Sequence, residues 1–242
     1  ALGRIQKSLA RAVERGKLDD EERDEILGRI DISTDLSEQA DRQLVIEAAT
    51  ENESLKKEIF SDLDRVLGPD AIIASNTSSI PITRLAAATG RPGQVVGLHF
   101  FNPVPVMALV ELVTTVLTDD ATAESAAAYA KSLGKTVIRA KDRAGFIVNM
   151  LLIPYMIGAV RMYEAGFASA EDIDAGMRLG ANHPMGPLEL TDFVGIDTTK
   201  YVADVLFEEF KDPAYASPPI LTRMVEAGLL GRKSGRGFYS YE

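Results

Sequence analysis

The chain has 242 residues and a formal net charge of −10, with 26 lysines and arginines against 36 aspartates and glutamates. Nucleic acids and anionic membranes bind clustered positive charge, so this acidic balance argues against both as partners. The absence of cysteine excludes disulfides, thiol nucleophiles and cysteine-based metal sites, and no zinc motif is present, so we expect no metal. The longest apolar stretch, 146–160, is shorter than the roughly 20 residues that a membrane span needs, and the sequence predicts a soluble, cytoplasmic protein.

In chain order, the pattern first predicts a helix at 4–18 and a second helix that begins at the acidic run 19–22, because carboxylates favour a helix N-terminus. Short apolar, β-branched runs then predict strands at 44–46, 71–74, 95–100, 109–113 and 136–140, with helices at 52–67 and 82–88. After residue 142 only helices are predicted, at 146–166, 170–180, 186–194, 198–210 and 220–227. This order predicts an α/β fold with a doubly wound sheet over residues 1–142, followed by an all-α domain over residues 143–242.

One of the two histidines, His99, lies at the end of the predicted strand 95–100. A turn with two prolines follows it, and the next strand brings Glu111 back towards it. Ligands of open α/β sheets bind outside the carboxyl ends of the strands, so this pair is a candidate acid/base couple in which the carboxylate orients the imidazole. A structural histidine near a strand end is the alternative interpretation.

The remaining polar candidates each have two interpretations. The run NTSS at 76–79 follows a predicted strand, where it either binds a ligand carbonyl or phosphate or simply forms a turn. Asn149 interrupts an apolar helix, so its amide should have a partner or face a cleft. Three charged residues after the first strand are also explained by a solvated helix start: Glu47, Glu51 and Lys56.

The other signals are weaker. His183, between proline and glycine residues, favours a capping or packing role. The basic, glycine-rich tail 231–238 either meets an anionic ligand or is a surface loop. No Gly-x-Gly-x-x-Gly run follows a predicted strand in the 242 residues, and neither a P-loop nor a nucleophile elbow is present.

Six runs nevertheless resemble, in order and from end to end, the L-3-hydroxyacyl-CoA dehydrogenase family, most closely its bacterial 3-hydroxybutyryl-CoA type. They are VIEAATE (45–51), ASNTSSI (74–80), GLHFFNPVPVM (97–107), GFIVN (145–149), NHPMGPLEL (182–190) and GRKSGRGFY (231–239). The resemblance implies a Rossmann-type sheet and an enzyme that interconverts (S)-3-hydroxyacyl-CoA and 3-ketoacyl-CoA with NAD. The expected substrate is 3-hydroxybutyryl-CoA. The resemblance further implies an acyl-CoA substrate and a homodimer formed through the helical C-terminal domain.

The resemblance also implies roles for single residues. His99 matches the catalytic base of the family, and Glu111 matches the carboxylate that orients it. Ser78 and Asn149 match positions that contact the substrate near the reacting oxygen. The implied nucleotide contacts are Glu51, Lys56, Asn102 and Lys233, and the implied contacts of CoA on the first helix are Ser8 and Arg15.

In this family the nucleotide-binding domain opens with a strand, a glycine-rich turn, a helix and a second strand, and the present chain aligns after that unit. We therefore expect a Rossmann-type domain that lacks its first strand-helix-strand and has an exposed sheet edge. The residue that selects NAD over NADP lies in that unit, so NADP stays open as a cofactor. Two further hypotheses also stay open: a non-catalytic acyl-CoA-binding dimer, and a relative that acts on another 3-hydroxy acid.

Overall fold

The structure, a computed structural model, describes residues 2–241, and the chain divides into the units Ala1–Asp41 and Arg42–Glu242. The first unit contains α1 (Leu2–Glu14), α2 (Asp20–Gly28) and a 3-10 turn, Leu36–Gln39. The predicted start of α2 is confirmed by a capping box, in which the side chain of Asp19 accepts from the backbone N–H of Glu22 at 2.8 Å. Helix α1 ends earlier than predicted because Gly16 has a φ of +64°, which a right-handed helix excludes.

The second unit contains a five-stranded sheet in which the strands follow one another in chain order. The strands are β1 (Leu44–Glu47), β2 (Ile72–Ser75), β3 (Val95–Phe100), β4 (Leu109–Thr114) and β5 (Thr136–Lys141), so all five predicted strands are confirmed. Strands β1, β2 and β3 are parallel, β4 is antiparallel to β3, and β5 is parallel to β4. The reversal at β4 follows from the short connection 101–108, since a parallel crossover needs about a dozen residues or more.

Helices cover both faces of this sheet. Helices α3 (Glu53–Val66) and α4 (Ile82–Ala86) pack on the face that carries Ile73 and Val95, and α5 (Asp120–Ser132) packs on the face that carries Val96. Helix α5 was not predicted, because four of the five side chains that it buries are alanines, which do not stand out as an apolar stripe despite their helical spacing: Ala123, Ala126, Ala127 and Ala130.

The C-terminal part is helical, as predicted. It contains α6 (Val148–Glu164), α7 (Ala170–Ala175) with a π-helical turn (Gly176–Gly180), α8 (Pro187–Val194), α9 (Ile196–Phe210) and α10 (Pro219–Glu226). Further 3-10 turns lie at Pro92–Gln94, Pro213–Tyr215 and Arg232–Ser234. Helix α6 begins later than predicted because Gly145 and Phe146 have φ values of +78° and +50°.

The helical part has its own apolar core, in which α6 lies against α8, α9 and α10. Its fully buried members include Met156, Ile157, Leu188, Leu206 and Leu221. The predicted fold class, a doubly wound α/β sheet followed by helices, is confirmed, while the predicted boundary at residue 142 stays a prediction. Among residues 2–241, no helix is both long enough and apolar enough to cross a bilayer.

Candidate active site

His99 and Glu111 are direct register partners in the antiparallel pair β3–β4. Residues in this relation place their side chains on the same face of the sheet, with Cβ atoms about 5 Å apart. Nδ1 of His99 lies 2.7 Å from Oε2 of Glu111, and the side chains of His99 and Glu111 are 8% and 0% exposed. The predicted pairing of these side chains is confirmed, and their catalytic roles stay predictions.

The second oxygen of Glu111 caps a helix. Oε1 accepts from the backbone N–H groups of Ile147 and Val148, both at 3.0 Å, at the start of α6. The first N–H groups of a helix have no partner within it, so this carboxylate satisfies two of them. One buried side chain therefore orients His99 and also fixes the beginning of the helix that carries Asn149.

A cavity of about 610 Å³ opens at the carboxyl ends of β2 and β3. Its polar wall contains Asn76, Ser78, His99, Asn102 and Asn149. Its apolar wall comes mainly from α6 and α9 and includes Leu152, Ile153, Met156 and Val202. The structure thus brings together the predicted base, His99, and the two predicted substrate contacts, Ser78 and Asn149, with Glu111 behind His99. Asn149 faces a cleft, as expected.

The polar wall of this cavity keeps unused hydrogen-bonding groups. Because a carboxylate only accepts, Nδ1 of His99 donates to Glu111, and Nε2 makes no hydrogen bond within residues 2–241. The Ser78 hydroxyl and the Asn149 side-chain amide make no hydrogen bond within residues 2–241, although both residues border the cavity. A proton acceptor beside two hydrogen-bond donors suits the removal of a proton from a hydroxyl group, or its return to a carbonyl oxygen.

The charged residues at the end of β1 and after it are not a solvated helix start, so that alternative was wrong. Lys56 is 1% exposed and Glu47 is 4% exposed. Nζ of Lys56 lies 2.7 Å from Oε1 of Glu47 and 3.5 Å from Oε2 of Glu51. Charged side chains are buried only when they pair with an opposite charge. Here α3 places the Lys56 ammonium against the carboxylate at the end of β1. The nucleotide contacts predicted for Glu51 and Lys56 stay predictions.

The other predicted contacts of cofactor and substrate lie at the surface. Asn102 is exposed in the loop after β3, where the peptide bond to Pro103 is cis. Nζ of Lys233 lies 2.5 Å from Oδ1 of Asp197. Ser8 on α1 and Arg15 just after it are exposed in the first unit. The binding roles of these four residues stay predictions.

The second histidine does not border the cavity. The ring of His183 is exposed, and its Nδ1 lies 3.0 Å from the Tyr155 hydroxyl, with the two rings in edge contact. The structure therefore confirms the packing role that the sequence favoured for this residue.

Two buried carboxylates hold the tail that carries Lys233. Asp192 accepts from two backbone N–H groups of the tail, at 2.9 and 3.0 Å, and from the Tyr241 hydroxyl at 3.0 Å. Asp174 accepts from the Tyr239 hydroxyl at 2.8 Å. Burial raises the pKa of Asp192, and burial with the neighbouring Asp192 raises the pKa of Tyr241 to about 12, so this phenol remains a donor at neutral pH. Sequence reasoning missed both carboxylates because neither belongs to a local motif.

Gly237 of this tail approaches Asp192 too closely for any side chain. A Cβ atom at this position would lie 2.0 Å from Oδ1 of Asp192. We expect Gly237→Ala to lower the free energy of unfolding by about 1–3 kcal/mol, measured by urea denaturation, because the tail has to move. The control is Gly180→Ala, where no atom lies within 4 Å of the added Cβ, and equal stability of the two variants would contradict the close contact.

Comparison with known families defines the class of this protein. Residues 1–143 match the model of the "3-hydroxyacyl-CoA dehydrogenase, NAD binding domain", and residues 145–241 match that of the "3-hydroxyacyl-CoA dehydrogenase, C-terminal domain". The sheet is doubly wound and carries a His–Glu pair at its carboxyl edge. Together with the match to an NAD-binding domain, these features define an NAD-dependent oxidoreductase. The chain belongs to the 3-hydroxyacyl-CoA dehydrogenase family, which confirms the predicted resemblance and the predicted cofactor.

Individual relatives match over almost the whole chain. The 3-hydroxybutyryl-CoA dehydrogenase of Mycobacterium tuberculosis is 60% identical over 240 residues, which are 98% of this chain and 84% of that protein. A probable 3-hydroxybutyryl-CoA dehydrogenase of Deinococcus radiodurans is 48% identical over 99% of this chain and 86% of its own length. The crystal structure of (S)-3-hydroxybutyryl-CoA dehydrogenase PaaH1 from Ralstonia eutropha is 47% identical, with a TM-score of 0.95 over 100% of this chain and 85% of that one.

Proposed function

We propose that this protein oxidises (S)-3-hydroxybutyryl-CoA to acetoacetyl-CoA with NAD and catalyses the reverse reduction. The observation that carries the proposal is the buried His99–Glu111 pair, whose histidine borders one cavity together with Ser78 and Asn149. The names of the relatives at 48–60% identity support the substrate.

The residues of the cavity fit the nicotinamide end of a dinucleotide. The Thr199 hydroxyl in its wall is buried and has no hydrogen-bond partner among residues 2–241, and an orphaned buried hydroxyl needs a ligand or a water molecule. The Asn102 side chain borders the same cavity, while Lys233 lies outside its lining and pairs with Asp197 at the surface. NAD, when bound, supplies the acceptor for the hydrogen that leaves C3 with its electron pair.

The proton of the reaction moves at His99. In the direction of oxidation, Nε2 takes the proton of the 3-hydroxyl group while the C3–H bond breaks, so that a C3 carbonyl forms. Glu111 stabilises the imidazolium that results, because its Oε2 lies 2.7 Å from Nδ1. In the reverse direction the imidazolium returns this proton to the carbonyl oxygen.

Ser78 and Asn149 bind and orient the substrate in this account. Their side chains border the same cavity as His99 and donate to the oxygen at C3 or to the thioester carbonyl. The apolar wall of α6 and α9 excludes water and receives the short acyl chain. Ser8 and Arg15 remain the predicted contacts of CoA, whose phosphates need donors of this kind.

The test measures turnover of three candidate substrates. The protein assayed is the product of the intact gene, so that any residues encoded before Ala1 are present. We expect NADH formation with (S)-3-hydroxybutyryl-CoA and none with the (R) enantiomer or with free 3-hydroxybutyrate. Equal turnover of the free acid would favour a relative that acts on another 3-hydroxy acid. Micromolar binding of acetoacetyl-CoA without any turnover would favour the non-catalytic dimer.

We also propose that the protein is a homodimer formed through its helical part. An apolar groove there is lined by Pro154, Gly158, Met162, Phe167 and Ala168, and Phe167 is 76% exposed. Exposed apolar patches of this kind are typical of protein interfaces. Phe167→Asp should convert dimer to monomer in light scattering after size exclusion, whereas Val116→Asp, at an apolar residue 93% exposed outside the groove, should not. An unchanged mass for Phe167→Asp would contradict this interface.

A further inference from the structure

One face of helix α6 borders the cavity of the candidate active site. The residues of this face recur with the three- and four-residue spacing of a single helical side: Val148, Asn149, Leu152, Ile153 and Met156. Leu152 comes three residues after Asn149, and side chains so spaced have Cβ atoms about 5–6 Å apart. Leu152 is therefore the apolar neighbour of the predicted substrate contact, towards the C-terminal end of α6.

The exposure of the lining residues distinguishes the mouth of this cavity from its floor. Asn102 and Phe193 are exposed, so they mark the mouth. Ile153 and Met156 are only 3% and 0% exposed, so they mark the floor. Leu152 is half-buried and packs against the same apolar core as the two floor residues. Its side chain therefore lies on the way from the polar wall to the floor.

The size and charge of CoA determine which way an acyl-CoA enters such a cavity. The CoA moiety is bulky and carries phosphates, whose burial is costly, so it stays outside the mouth. C3 of the acyl group has to reach His99, which is buried in the cavity wall. The carbons beyond C3 then point away from the mouth and towards the apolar floor. In a four-carbon substrate only C4 lies beyond C3, whereas a longer chain needs more room in that direction.

We propose that Leu152 sets the length of the acyl chain that this protein accepts. Its side chain meets C4 of the substrate and blocks the path of longer chains to the floor at Ile153 and Met156. An apolar pocket gains affinity from each methylene group that it can bury and rejects a group for which it has no room. This inference rests on the proposed function and deepens it, because it assigns the preference for a four-carbon substrate to one side chain.

The first test replaces Leu152 with alanine in the product of the intact gene. It compares kcat/KM for (S)-3-hydroxybutyryl-CoA with kcat/KM for the six-carbon (S)-3-hydroxyhexanoyl-CoA. The substitution removes the isopropyl group of the side chain and leaves room for about two methylene groups. We expect the six-carbon to four-carbon ratio of kcat/KM to rise by about 10- to 20-fold, the gain from burying two methylene groups. An unchanged ratio would overturn the inference.

Leu151 provides the matched control. It is the neighbouring residue of the same helix, is 72% exposed and does not border the cavity. Leu151→Ala should leave the ratio within about twofold of the unsubstituted value, and an equal rise in both alanine variants would overturn the role of Leu152. KM for NAD should stay within about twofold in Leu152→Ala. A raised KM for NAD with an unchanged ratio would also overturn the inference, because Leu152 would then pack against the cofactor.

A milder variant carries the test if Leu152→Ala does not fold. Leu152→Val removes a single methylene group and should raise the six-carbon to four-carbon ratio by about 2- to 5-fold. Calorimetry with acetoacetyl-CoA and 3-oxohexanoyl-CoA should show the same shift in binding preference without turnover. An unchanged preference in Leu152→Val, with the unsubstituted protein active, contradicts the role of Leu152 alone. No turnover of either hydroxyacyl-CoA by the unsubstituted protein contradicts the proposed function.

Discussion

Replacing His99 with glutamine is expected to lower kcat by about 100- to 10,000-fold, the range that a positioned general base contributes. The glutamine amide can still donate to Oε2 of Glu111, which lies 2.7 Å from Nδ1 in the unsubstituted protein, so the buried carboxylate keeps a partner and the fold survives. The variant has no titratable nitrogen beside the cavity, so proton transfer from the 3-hydroxyl group has no acceptor. Steady-state rates of NADH formation measure this effect.

The matched control is the other histidine of the chain. His183→Gln removes an exposed ring that contacts Tyr155 and does not border the cavity, so kcat should stay within about twofold of the unsubstituted value. A retained kcat in His99→Gln, or an equal loss in His183→Gln, would contradict the assignment of His99 as the base.

Replacing Lys56 with methionine is expected to lower the free energy of unfolding by about 3–5 kcal/mol. Methionine fills a similar volume, but the variant leaves Glu47 and Glu51 without the ammonium that both now face at 2.7 and 3.5 Å. Breaking a buried ion pair in this way leaves a carboxylate in the interior with no opposite charge. Urea denaturation followed by circular dichroism measures the loss.

The neighbouring lysine provides the control for this prediction. Lys57 pairs with Glu53 at the surface, where the side chains are 42% and 34% exposed, and such pairs contribute between zero and about 1 kcal/mol. Lys57→Met should therefore change stability by less than about 1 kcal/mol. Equal stability of the two methionine variants would show that Lys56 is not held inside the protein.

The sheet and the His99–Glu111 pair were predictable because local signals determine them. Each strand is a short apolar run between turns, and the connection between β3 and β4 is too short for anything but an antiparallel return. Such a return places His99 and Glu111 near each other. Helix α5 was not predicted because four of the five side chains that it buries are alanines.

The supporting contacts of the site were not predictable, because their partners are distant in sequence. The N–H groups that Glu111 caps lie 36 and 37 residues further along the chain, and the groups of the loop 77–79 that donate to Glu51 lie 26 to 28 residues further along. Lys56 was misinterpreted because the charged run around it matches a solvated helix face, and full burial of lysine is rare.

The hydrogen on C3 of the substrate provides the most direct test of the central claim, which is oxidation at C3 beside His99. (S)-3-Hydroxybutyryl-CoA with deuterium at C3 is incubated with NAD and the protein, and the products are analysed by mass spectrometry. We predict that the reduced dinucleotide gains one deuterium and that the CoA product is acetoacetyl-CoA without deuterium at C3. His99→Gln should slow this transfer by at least about 100-fold, which is the lower limit of what a general base contributes. A reduced dinucleotide without deuterium, or transfer at an equal rate in His99→Gln, would contradict the account.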